Sequence, residues 1–180
     1  MPIPSKQIEL SKFQWKLDAI PSEAAVMNSP FTVRSAAEQE LEEAASVIQA
    51  SYNLDHQWSG CARYIDNIVL PAVAEIFKGD CTCLFVQHGN RIIAASAFSV
   101  EPINGVNLVS GPCVFMEYRN RGIGGSLLGA TLLALREFGV TEAVGQALPN
   151  SPAAKYLCTK FGGHPLAGGP VQIPNVVALS

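Results

Sequence analysis

The stretch Arg119-Asn120-Arg121-Gly122-Ile123-Gly124-Gly125-Ser126 most constrains what this chain can fold into, because it joins an apolar strand-like run, Val106 to Met116, to an apolar helix-like run, Leu127 to Phe138. It reads as a strand-to-helix turn built to hold phosphate. Its glycines leave no Cβ between backbone and ligand, and the first N–H groups of the helix have no partner within it. The positive end of the helix dipole adds to their attraction for an anion. Arg119 and Arg121 bring guanidinium groups that can grip phosphate through paired hydrogen bonds.

Spacing separates the known phosphate loops. A P-loop requires Lys-Ser/Thr after its last glycine, and Gly124-Gly125-Ser126-Leu127 has no lysine. A dinucleotide fingerprint places a third glycine where Leu127 stands and an acidic residue at the end of the next strand. Glu142 instead precedes the strand-like run Ala143 to Ala147.

The residues Val114-Phe115-Met116-Glu117-Tyr118-Arg119-Asn120-Arg121-Gly122-Ile123-Gly124 resemble the acyl-CoA loop of the GCN5-related N-acetyltransferases (GNATs). That loop reads Gln/Arg-x-x-Gly-x-Gly/Ala after a strand carrying Val-x-Pro-x-x-Arg. Met116 stands where the proline is usual, and the resemblance runs from about Phe31 to the C-terminus. It implies acetyl-CoA as co-substrate, with pantetheine paired to the backbone of Val114 and Met116, Phe115 between them. Pyrophosphate would lie on Arg119, Arg121, Gly122, Ile123, Gly124, Gly125 and Ser126. It further implies transfer of acetyl to a primary amine by direct attack, without a covalent enzyme intermediate.

A chain of 180 residues fits one domain with a substantial core. Only 15% of it is charged, which leaves apolar surface for a possible homodimer. A net charge of −3 offers no basic field for nucleic acid. The N-terminus lacks the apolar core of a signal peptide and no apolar run approaches a membrane span, so a cytoplasmic protein without a membrane partner is expected. Five cysteines without paired C-x-x-C spacing argue against a disulfide framework and a zinc site.

Residues 1–30 are read as an extension whose apolar residues cover the domain or a partner subunit; Phe13, Trp15 and Leu17 alternate as in a strand. The domain, residues 31–180, opens with strand Phe31-Thr32-Val33-Arg34 and a helix start at Ser35-Ala36-Ala37-Glu38, which has capping-box spacing. The run of glutamates from Glu38 reads as a solvated face. A second helical run, Cys61 to Phe77, is kinked or divided by Pro71. Strands on either side of Gly89-Asn90 form a hairpin, and Gly111-Pro112 marks an irregularity in the strand from Val106. Strand Ala143 to Ala147, a helix from Ser151 to Phe161 and the apolar run Val176 to Leu179 complete the order β-α-α-β-β-β-α-β-α-β. The fold class is α/β, a mixed and mostly antiparallel central sheet flanked by helices, matching the GNAT order.

GNATs usually carry Asn-x-x-Ala-x-x-x-Tyr-x-x-x-Gly on the helix after the fifth strand, with the tyrosine donating to the thioester sulfur. Here Asn150 to Gly162 is one residue too long. Counting back from Gly162 puts Cys158 in the tyrosine position; counting forward from Asn150 puts Leu157 there. The helical wheel favours Cys158, which shares a face with Ala154 and Phe161 while Tyr156 points nearly opposite. Asp55, His56 and Trp58 sit in the loop where the family builds its acceptor wall, although a solvated loop with an aromatic cap on the core explains them as well. Glu101 is a further candidate base. The acceptor, a small-molecule amine or a peptide, is not written in these residues. A non-catalytic acyl-CoA-binding or regulatory module is the alternative reading.

Overall fold

The computed structural model describes residues 7–167, 169 and 171–174. In chain order the elements are β1 (Gln7–Lys16), β2 (Phe31–Ser35), α1 (Leu41–Asn53), α2 (Ala62–Tyr64), α3 (Leu70–Lys78), β3 (Cys83–His88), β4 (Arg91–Ile103), β5 (Val106–Leu108), β6 (Cys113–Val114), α4 (Ile123–Glu137), β7 (Glu142–Ala147), β8 (His164–Pro165) and β9 (Val171–Pro174). The apolar run Val176 to Leu179, expected as the last strand, lies outside the described residues.

The β3–β4 hairpin turns at Gly89, whose φ of +61° suits a residue without a Cβ. β2 pairs with the outer edge of β3, while β5 and β6 share the far edge of β4. Every pairing among the described strands is antiparallel, where a mixed sheet was expected. Alternate side chains feed two layers. Phe85, Ala95 and Ala97 join the helices α1 to α3, and Val86, Ile93 and Ala94 join Ile123 and Leu127 of α4. Covered on both faces, β4 is buried continuously from Ile93 to Phe98, which is why it reads as an unbroken apolar run.

The start of α1 differs in detail from expectation. A 3-10 turn, Glu38–Glu40, precedes it, and the Glu40 carboxylate, rather than Glu38, reaches back to the Ala37 N–H at 2.8 Å. Arg34 grips the same carboxylate with both terminal nitrogens, at 2.7 and 2.8 Å, and with that N–H holds its pKa down to about 2. Between α2 and α3 the helix continues through a π turn, Ile65–Val69. Pro71, which has no N–H and cannot tolerate the usual carbonyl behind it, sits just after that widened turn.

The N-terminal residues are not an extension laid over a finished domain. β1 runs through the middle of a second sheet, paired along one edge with β7 and along the other with β8 and β9. Its alternation has a packing cause: Phe13, Trp15 and Leu17 are buried against Leu128, Leu132 and Leu135 of α4. The segment after it stays on α4, where a Cβ added to Gly129 would lie 2.1 Å from the Ala24 carbonyl oxygen. A domain boundary at residue 30 would therefore cut through a core.

The two sheets meet where β5 lies beside β7. The buried side chain of Asn107 joins them: its Oδ1 accepts from the Val144 N–H at 3.0 Å, and its Nδ2 donates to the carbonyls of Ser99 and Val100 at 3.1 Å. Trp15, 1% exposed, seals the second sheet's core and donates from Nε1 to the Lys160 carbonyl at 2.8 Å. Replacing Trp15 by Ala is expected to lower unfolding free energy by about 3–5 kcal/mol, the usual cost of emptying a large aromatic site. Urea titration followed by circular dichroism measures it, and a loss under about 1 kcal/mol would mark β1 as a peripheral strand.

Candidate active site

A cavity of about 540 Å³ opens where the sheets part. One wall comes from Leu108, Cys113 and Val114, the facing wall from Gly145, Gln146 and Ala147, and the loop through Gly122 and Gly124 closes one end. The parting begins at Gly111, whose φ of +64° separates β5 from β6. Phe115 donates its N–H to Ile93. By antiparallel alternation the Val114 N–H and C=O therefore project from the opposite edge.

Arg119 is a brace. Its Nε donates to the Val114 carbonyl at 3.2 Å, one terminal nitrogen to the Ser51 carbonyl at 3.0 Å, and the other pairs with Asp55 at 3.3 Å. The Ser51 hydroxyl donates to the same Val114 carbonyl at 2.9 Å. Together they bolt the end of α1 to the strand entering the loop. Arg121 is held more loosely: it lies over the Tyr118 ring at 5.3 Å and donates to the Glu117 carbonyl at 3.2 Å, exposed to solvent.

After Gly122, at φ +77°, α4 begins with no side chain capping its first N–H groups; the Ser126 N–H is the one that bonds back to Gly122, at 3.1 Å. A Cβ placed on Gly124 would meet nothing closer than Val114 Cγ2 at 3.9 Å, so this backbone faces open space. Lys160 lies against Gly125, its Cε 3.2 Å and its Nζ 3.8 Å from where a Cβ would stand. A lysine ammonium thus sits beside the positive end of a helix. The two repel, and an anion between them would satisfy both.

No protein-family model and no curated protein sequence matches the chain. Its fold does match solved structures. An X-ray structure of a Drosophila protein superposes with a TM-score of 0.64 at 14% identity, over 97% of this chain and 54% of that one. A GCN5-related N-acetyltransferase from Sphaerobacter thermophilus matches with a TM-score of 0.57 at 15% identity, over 91% of this chain and 50% of that one. Another, from Kribbella flavida, gives 0.55 at 11% identity, over 90% and 56%. The chain has the GNAT fold. It spans about half the length of these structures.

Within this GNAT fold, the cavity gathers Asp55, Trp58, Val114, Arg119, Gly122, Ile123, Gly124 and Cys158 from the residues singled out in the sequence. Others fall elsewhere or are already engaged. Met116 is in a 3-10 turn and its carbonyl accepts from the Arg119 N–H, so it is not an extended pairing partner. The Ser126 hydroxyl donates to the Val26 carbonyl at 2.9 Å, tethering the N-terminal segment. His56 and Glu101 are exposed and outside the cavity. Asn150 borders a second cavity of about 460 Å³, which shares Gln57, Leu148 and Ser151 with the first.

The surplus residue between Asn150 and Gly162 is absorbed by a π turn, Ala153–Leu157, closed by the Cys158 N–H bonding the Ala153 carbonyl at 2.8 Å. The turn lies before Cys158, so a count back from Gly162 to Cys158 does not cross it. Cys158 is buried in the cavity wall, where burial pushes its thiol up to about 12, while Tyr156 is 71% exposed at the rim. A regular helix from Ser151 to Phe161 does not form: a 3-10 turn, Lys160–Gly162, follows, with Phe161 at φ +58°.

Among the cavity residues that escaped the sequence reading are Lys160, Gln146 and Tyr52. Lys160 fills an unspecified position of the Asn150 to Gly162 pattern, Gln146 looked like one more strand residue, and Tyr52 like one more helix residue. Tyr52 donates its hydroxyl to the Ser110 carbonyl at 2.7 Å and packs edge-on against Trp58 at 4.8 Å. Only the alternation of β7, with Gly145 and Ala147 buried, hinted that Gln146 points the other way.

The brace and the free arginine are separable. Arg119→Ala leaves the Asp55 carboxylate and two carbonyls short of a donor and is expected to cost about 1–3 kcal/mol of stability. Arg121→Ala is expected to change stability by less than about 0.5 kcal/mol. Equal urea midpoints for the two variants would contradict the bracing role.

Proposed function

We propose that the cavity binds acetyl-CoA and that the protein transfers the acetyl group to an amine. The observation that carries this reading is the approach of Lys160 to the uncapped start of α4, a pairing of positive groups that a pyrophosphate relieves. The N–H groups of Ile123, Gly124 and Gly125 receive the phosphates, with Lys160 and the exposed Arg121 as counter-charges. Pantetheine runs toward Val114, whose carbonyl is already taken by Ser51 and Arg119, so the Val114 N–H is the group left to meet it. The thioester then lies between Val114 and the wall of Cys158 and Gln146.

In the reaction the amine lone pair forms a bond to the thioester carbonyl carbon and the C–S bond breaks with its electron pair on sulfur. The proton released from nitrogen balances the thiolate. A backbone N–H polarises the carbonyl oxygen, and the Cys158 thiol, kept protonated by burial, is a hydrogen-bond donor for the leaving sulfur. A non-catalytic CoA-binding module is the second reading, favoured by cysteine in place of the family's tyrosine. Turnover separates the two.

Gly124→Val tests the binding claim. The added Cβ has room, so the variant folds, but the side chain fills the space in front of the helix N-terminus. Calorimetry is expected to show CoA affinity falling at least about tenfold, equivalent to about 1.4 kcal/mol. Unchanged affinity in a folded variant would remove the reading.

A further inference from the structure

The cavity is poorly equipped to deprotonate an ammonium. Among the described residues no histidine lines it, and its one carboxylate, Asp55, is committed: Oδ1 accepts the Gln57 N–H at 3.0 Å and Oδ2 pairs with Arg119 at 3.3 Å. The other titratable or charged groups along its walls are Tyr52, Cys113, Tyr118, Arg119, Tyr156, Cys158 and Lys160. Burial raises Tyr52 well above its ordinary range and raises Cys113 and Cys158 to about 12, so these remain proton-bearing donors at neutral pH. Arg119 and Lys160 repel a cation.

The same cavity has a built aromatic side. The Trp58 ring stands edge-on to Tyr52 at 4.8 Å and is stacked on Tyr64 at 6.0 Å with 7° between the planes. Gln146 Nε2 donates to the Tyr64 hydroxyl at 2.9 Å, which ties the amide to this group. Its Oε1 is buried without a hydrogen-bond partner. A desolvated acceptor left bare costs about 1–3 kcal/mol, a cost that a ligand N–H removes.

Resting on the acetyl-transfer reading above, we propose that the acceptor is a weakly basic aromatic amine, uncharged at neutral pH, with its ring against Trp58 and its N–H held by Gln146 Oε1. Such an amine arrives with its lone pair free, so no base is needed before attack. Nitrogen bonds to the acetyl carbon, the C–S bond breaks toward sulfur, and the one proton lost from nitrogen passes to the thiolate. The products are an N-aryl acetamide and free CoA thiol.

Aniline and benzylamine share a ring and differ in basicity, and both are offered with acetyl-CoA to the wild-type protein. Acetylation of aniline is expected at a rate nearly flat from about pH 6 to about pH 9, while benzylamine is slow at neutral pH and rises about tenfold per pH unit as its free base appears. Gln146→Ala is expected to raise the aniline KM about tenfold, a larger change than it makes in CoA affinity, and Gln146→Glu, which supplies a carboxylate, to improve benzylamine relative to aniline. CoA affinity measured on the same samples separates the claims: without CoA binding the acetyl-transfer reading itself fails. If CoA binds, benzylamine outrunning aniline at neutral pH, or transfer to neither, overturns the aromatic-amine proposal.

Discussion

The site lies where two sheets touch at β5 and β7, joined among the described residues by side chains, Asn107 above all, with no backbone ladder between these two strands. Asn107 supplies the missing partner for the Val144 N–H and anchors itself on two carbonyls of β4. Past that staple, Gly111 turns β5 away into β6, and the space between this edge and β7 becomes the cavity. A ladder carried further would have satisfied more backbone groups and left no room for a ligand. The exposed edges are instead covered by side chains: Ser51 and Arg119 take up the Val114 carbonyl, and Tyr52 that of Ser110. Structure and opening thus have one origin.

The N-terminal strand makes this arrangement affordable in stability and shapes the phosphate end. Trp15 lies beneath the cavity, and its indole N–H holds the Lys160 carbonyl, which fixes where that lysine's side chain can reach. Gly163 must be a glycine for the same reason, since a Cβ there would lie 2.5 Å from Trp15 Nε1 and 1.9 Å from the Cys158 carbonyl oxygen. Residues separated by nearly the whole chain therefore determine one charge beside α4. Ser126, which the loop pattern suggested for phosphate, is used to tie this N-terminal segment down.

Legibility in the sequence followed the range of the interactions. The hairpin at Gly89, the break at Gly111 and the strand-glycine-helix turn are local events, and each was readable from its own residues. The place of β1 was not: Phe13, Trp15 and Leu17 showed the period of a strand, but no local signal says which sheet a strand joins. The roles of the charges were illegible for a related cause. Arg119 and Arg121 look alike beside a glycine loop, and only the distant Ser51 and Asp55 make one a brace. The surplus residue before Gly162 was visible as a mismatch of spacing, and the π turn is its physical resolution. Gln146 lay in no motif, and Lys160 only at an unspecified position of one.

The central claim is that a CoA pyrophosphate lies on the start of α4 with the thioester end between β6 and β7. Backbone amide NMR of the protein titrated with CoA tests it most directly. The largest shifts are expected at Ile123, Gly124 and Gly125, with smaller ones at Val114, Gln146 and Lys160. Shifts confined to surfaces away from α4 and the cavity, or none at saturating CoA, would contradict it.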